Sequence, residues 1–234
     1  MTNRSLTACT LGVCAVLILV PAMHWLRDPE RRAERFVASG DEHAAQGRFR
    51  EAAIEYRNAL KHRPGDAGTE FKLGTAHDVL GERARAHQAF VRVTELDGRW
   101  TDAGIRVAKV LLAEARFADA QRHLETVLGH EPRNVTALVL LGGVYAGLGE
   151  QTSALAWVEQ ALAIDPESAN AHILLGSIRL SAGEQEEGGT AFAKATQLAP
   201  DSLEVWTALG QFRWALGEFE ATERALTPRA GGRP

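Results

Sequence analysis

"EAAIEYRNALKHRPGD" occupies residues 51–66 and "SALAWVEQALAIDPES" residues 153–168. Aligned, they share Ala52/Ala154, Ala59/Ala161, Leu60/Leu162 and Pro64/Pro166. Each reads as an amphipathic helix that a proline brings to a stop. Their offset is three times 34, and a fixed period of that size is the mark of stacked repeats.

From Ala33 the chain divides into blocks 33–66, 67–100, 101–134, 135–168 and 169–202, with a partial block from 203, and none needs an insertion. Position 8 of each block reads Gly40, Gly74, Ala108, Gly142, Gly176 and Gly210. Position 20 reads Ala52, Ala86, Ala120, Ala154, Gly188 and Thr222. Small residues at both places let two helices approach closely. Position 15 (Gly47, Gly81, Ala115, Gly149, Gly183, Gly217) suits a left-handed turn after a helix end. Position 24 supplies a large plug: Tyr56, Phe90, Leu124, Val158, Phe192. Position 32 (Pro64, Gly98, Pro132, Pro166, Pro200) ends the second helix. A single hairpin of this kind cannot bury its apolar face, so neighbours must stack. No alternating run reads as a strand, and the fold class is all-α.

This period and these residues resemble the tetratricopeptide repeat (TPR) family over about 200 residues. The resemblance implies a right-handed superhelical solenoid of helix hairpins over residues 33–226. Glu70 and Gly98 in the second block, and Gly104 in the third, depart from the family pattern and predict looser hairpins there.

The resemblance also implies that the first helices line a concave surface through positions 2, 5, 6, 9, 12 and 13. Position 5 then contributes Val37, Phe71, Ile105, Val139 and Ile173; position 6 adds Leu140 and Leu174; position 12 adds Leu112, Leu180 and Trp214. Such side chains either pack between adjacent helices or form a binding stripe, and a continuous apolar stripe favours the second. Lys72, Arg106 and Lys109 add a basic spot, with Asp41, Asp78 and Asp102 available to pair with it. Chaperone-binding TPR proteins hold a carboxylate with lysine at position 5 and asparagine at position 9. Here position 5 is never lysine and position 9 is never asparagine, so that mode is disfavoured.

Net charge is −4 and the pI about 6.1, which gives no basic field for nucleic acid. Both cysteines lie in the first 14 residues, leaving the body without a thiolate metal site or disulfide framework. His43 and His77 share position 11 on neighbouring helices about 10 Å apart, too far to hold one zinc. His123 and His130 are seven residues apart and face the same obstacle. No nucleophile elbow, zinc helix, phosphate loop or dinucleotide fingerprint occurs. No catalytic residue and no cofactor is expected.

Residues 6–26 ("LTACTLGVCAVLILVPAMHWL") contain no carboxylate, lysine or arginine. They are long enough for one hydrophobic helix across a bilayer, while Leu11–Val20 alone has the size of a signal-peptide core. The run continues past the candidate cleavage site Val20-Pro21-Ala22, which favours a retained inner-membrane anchor within residues 1–28 over a cleaved signal. The arginines at 27, 31, 32 and 35 favour a cytoplasmic body. Export-signal anatomy favours the extracytoplasmic side, and the reading leans that way. At the other end, block 6 stops short and 227–234 reads as a disordered tail, so exposed aromatic surface there predicts self-association through the partial repeat. The chain reads as a scaffold for a protein or peptide partner. Its opening repeats ("SGDEHAAQGRFREAAIEYRNAL", 39–60) resemble envelope-associated bacterial TPR proteins of polysaccharide export and envelope assembly. The alternative is a regulatory or substrate-presenting subunit of an enzyme on another chain.

Overall fold

A computed structural model describes residues 28–217. The expected apolar helix at 6–26 and the end of block 6 from residue 218 onward lie outside the described residues. Within the described residues no helix is long and apolar enough to cross a membrane.

Eleven α-helices and no strand make up the described chain. They are α1 (Pro29–Ala45), α2 (Phe49–His62), α3 (Ala67–Val79), α4 (Arg83–Leu96), α5 (Thr101–Ala113), α6 (Phe117–His130), α7 (Val135–Gly147), α8 (Gln151–Ile164), α9 (Ala169–Ser181), α10 (Gln185–Leu198) and α11 (Leu203–Ala215). Two compact units divide between Asp97 and Gly98. The first holds α1–α4 as two stacked hairpins. The second holds α5–α11, three hairpins and a further helix, with the first helices α5, α7, α9 and α11 packed on one another in that order.

Local chemistry sets each hairpin. Asn134, Ser168 and Ser202 cap α7, α9 and α11 by accepting the backbone N–H three residues on, at 3.0, 3.4 and 3.4 Å. Asp28 caps α1, and Pro29 follows at the first helical position, where its missing N–H costs nothing. First helices end in one motif. The N–H of residue 15 of the block bonds back three residues and the next N–H bonds back five, as in Gly47 to Ala44 and Arg48 to His43. That closure needs a left-handed residue, and Gly47, Gly81, Gly149, Gly183 and Gly217 have φ between +72° and +83°. Ala115 makes the same turn at φ +55°.

The plugs expected at position 24 are all buried, and at position 8 Gly40, Gly74, Gly142 and Gly176 are each a floor for one of them. A Cβ placed on Gly40 would stand 2.5 Å from the Tyr56 ring; on Gly176 it would stand 2.8 Å from Phe192 and 3.1 Å from the carbonyl oxygen of Gly188. The alanines at position 20 are 0–3% exposed, so backbone meets backbone with nothing larger than a methyl between.

Two of the departures, Gly104 and Glu70, leave no gap where they stand. Gly104 is buried, and Val127 fills the space that a side chain there would occupy. Glu70, where the family resemblance implies an aromatic, is buried beneath Arg92, whose Nη1 donates to its Oε1 at 3.0 Å. A paired carboxylate thus fills the place of a ring.

Candidate functional site

In the second unit, four first helices leave an open cleft of about 260 Å³. Its floor is Val139 and Leu140 from α7 and Ile173 and Leu174 from α9, all half-buried. Packing behind the floor holds it still. Val139 rests on the buried group of Leu138, Ala161 and Ala171, and Ile173 on that of Phe192, Leu209 and Phe212. Leu174 lies over Gly142, where a Cβ would stand 3.2 Å from its Cδ2. Polar groups border this apolar surface. Thr136, Asn170 and Glu204 come from position 2 of their blocks, and Lys109 and Ser177 from position 9. The Ser177 hydroxyl donates to the Ile173 carbonyl at 3.0 Å, so its hydrogen is already used. Lys109 and Glu204 are exposed, and neither enters an ion pair within the described residues.

An apolar floor with a few convergent polar groups is the general form of a site that takes a complementary surface. In a site of that form the polar groups fix the orientation of an occupant and the floor supplies contact area. The side chains that line it form no nucleophile–base pair.

The cleft therefore brings together five of the residues expected from sequence: Lys109, Val139, Leu140, Ile173 and Leu174. Others are placed differently. Ile105 is only 9% exposed and is a core side chain, so it does not present an apolar face. Leu180 packs on Phe192, Leu209 and Phe212, between hairpins. Leu112 and Arg106 are half-buried on α5, and Trp214 is 63% exposed on α11. In the first unit Val37 and Phe71 are half-buried, and Phe71 tilts against Phe90 with ring centroids 5.5 Å apart.

Lys72, also in the first unit, is held by Asp41 at 2.6 Å, the self-pairing expected of the basic spot. The same Asp41 accepts from the Tyr56 hydroxyl at 2.9 Å. Burial first, and then that bond, push the Tyr56 phenol well above its ordinary value of 10.0. Among the histidines, His77 is buried with Nδ1 2.6 Å from the Glu82 carboxylate. Glu82 is held below its ordinary value by Arg85 and then by His77.

Asn170, Thr136 and Glu204 were the residues sequence reading passed over. Their signal was present: position 2 belongs to the concave set, and reading it down blocks 4 to 6 gives Thr136, Asn170 and Glu204.

A family model described as "Tetratricopeptide repeat" matches residues 37–98, 107–169 and 158–202. The chain belongs to the tetratricopeptide repeat family. Solved structures with the same TPR fold include residues 41 to the end of MamA from Desulfovibrio magneticus RS-1. That structure is 25% identical, covers 73% of this chain and 98% of its own, and has a TM-score of 0.64. PilW, described as a widely conserved type IV pilus biogenesis factor, is 17% identical over 82% of this chain and 90% of its own, with a TM-score of 0.65. YrrB, described as a TPR protein with an unusual peptide-binding site, is 18% identical over 74% and 89%, with a TM-score of 0.61. These likenesses are likenesses of fold. No curated protein sequence matches the chain.

Proposed function

We propose that this chain is a non-catalytic TPR scaffold that holds a segment of a partner protein in the cleft between α5, α7, α9 and α11. One observation carries the reading: Val139, Leu140, Ile173 and Leu174 converge on one open surface, each still half-buried. Apolar side chains left together at a surface mark an interaction site. YrrB, with its peptide-binding site, shares the fold and supports a peptide segment as the occupant.

In the same reading, residues 6–26 tether the scaffold to the inner membrane with its repeats on the extracytoplasmic side, where it serves envelope assembly or polysaccharide export. The apolar run at 6–26 and the opening repeats at 39–60 support this placement. A topology reporter fused after Pro234 tests the orientation; activity on the cytoplasmic side would reverse it.

The binding role is tested by crosslinking and affinity capture from native membranes, comparing the natural chain with Leu140→Asp. Leu140 belongs to none of the buried core groups, so the variant should keep its helical circular dichroism. A partner captured by the natural chain and lost from the variant is the expected result. A partner held equally by both would move the site elsewhere on the molecule.

A further inference from the structure

Resting on the cleft as the binding site, we infer that its occupant is an extended peptide segment with a charge at each end: an acidic residue toward α5, a basic residue toward α11, and apolar side chains between. Lys109 and Glu204 carry the argument. They project from the first and last of the four helices that line the cleft, on either side of the apolar floor. Each is exposed, and neither has an ion-pair partner among the described residues. The contrast lies within the same chain, where Lys72 is neutralised by Asp41 at 2.6 Å. A lysine and a glutamate left uncompensated at opposite ends of one apolar surface form a dipole that an occupant of opposite polarity complements. Asn170 and Thr136, whose side chains make no hydrogen bond within the described residues, stand between the two ends and suit the backbone of an extended chain.

Length follows from the same geometry. From α5 to α11 is three helix spacings of about 8–10 Å each. A strand advancing about 3.3 Å per residue covers that in roughly eight residues. A uniformly acidic or uniformly basic segment of that length meets repulsion at one end. A purely apolar one leaves both charges without a partner.

Fluorescence anisotropy at low salt tests this with four labelled octapeptides. All have leucines and alanines at the centre; the terminal pairs are Asp and Lys, Asp and Asp, Lys and Lys, or Ser and Ser. The Asp and Lys peptide should bind about fivefold more tightly than either like-charged peptide. Lys109→Glu should transfer the preference to the Lys and Lys peptide, and Glu204→Lys to the Asp and Asp peptide. Both side chains are exposed, so both variants keep the fold. Equal binding of all four peptides, abolished by Leu140→Asp, overturns the charge polarity and leaves the cleft as the site. Binding that survives Leu140→Asp, or no binding by any peptide, overturns both the polarity and the cleft.

Discussion

Ala115 stands at a turn where Gly47, Gly81, Gly149, Gly183 and Gly217 do the same work. An L-residue in the left-handed region crowds its Cβ against the following carbonyl at a cost of about 1–2 kcal/mol. Glycine escapes that cost but brings extra freedom to the unfolded chain. The balance favours Ala115→Gly by about 0.5–1 kcal/mol, to be seen as a higher urea midpoint with an unchanged slope. The need for a left-handed residue at position 15 was legible in the sequence, because five glycines recur there. The exception was legible as a letter but not as a strain, since only the backbone angle distinguishes an alanine that bends from one that continues the helix.

Within a hairpin, the determining contact joins position 8 to position 24. Gly176 lies against Phe192 so closely that a methyl group would press on both the ring and the Gly188 carbonyl oxygen. Gly176→Ala should therefore cost about 1–3 kcal/mol in urea unfolding, and Phe192→Leu in the same chain should relieve part of it. Ala108 shows why: its partner plug is Leu124, an aliphatic side chain rather than a flat ring. Glu70 and Arg92 make a second element-scale case. Arg92→Ala leaves a buried carboxylate without its donor and should destabilise by about 2 kcal/mol, reduced from a fully buried pair because Arg92 is 54% exposed. Glu70→Leu with Arg92→Leu should lie near neutral, measured the same way. The hairpins were readable because their period is unbroken. Which side of a helix stays open was not: Val139, Ile173 and Ile105 share position 5, yet two border the cleft and one is core. A repeat pattern defines the face of a helix; the neighbours that arrive on it define what remains uncovered.

Within each of the two units, helices rest on their neighbours in the stack, so a local weakness should stay local. Hydrogen exchange on Gly176→Ala should show faster opening in α8 to α11 than in α5 and α6, all within the second unit. Uniform acceleration through the unit would mean that it opens as a whole. The division after Asp97 falls in the block that carries Gly98 where the other four full blocks carry proline. That exception was visible in the sequence; the division was not, because it depends on contacts between hairpins that no single block encodes. The cleft was half legible for a related reason: its apolar floor followed from positions 5 and 6, while position 2 marked Thr136, Asn170 and Glu204 as concave without telling which of those side chains would stay uncovered.

The unbroken block length has a consequence for how such a receptor changes over generations. Duplication or loss of one whole block rejoins the chain at chemically equivalent points, so it adds or removes a hairpin without a new kind of junction. Inserted between α8 and α9, an extra hairpin would set Lys109 and Glu204 apart by one more helix spacing, about 8–10 Å, or roughly three residues of extended ligand. In the proposed binding mode, the number of hairpins between the two charges sets the length of ligand accepted, and a gene can reset it in whole units while every turn and plug stays as it was.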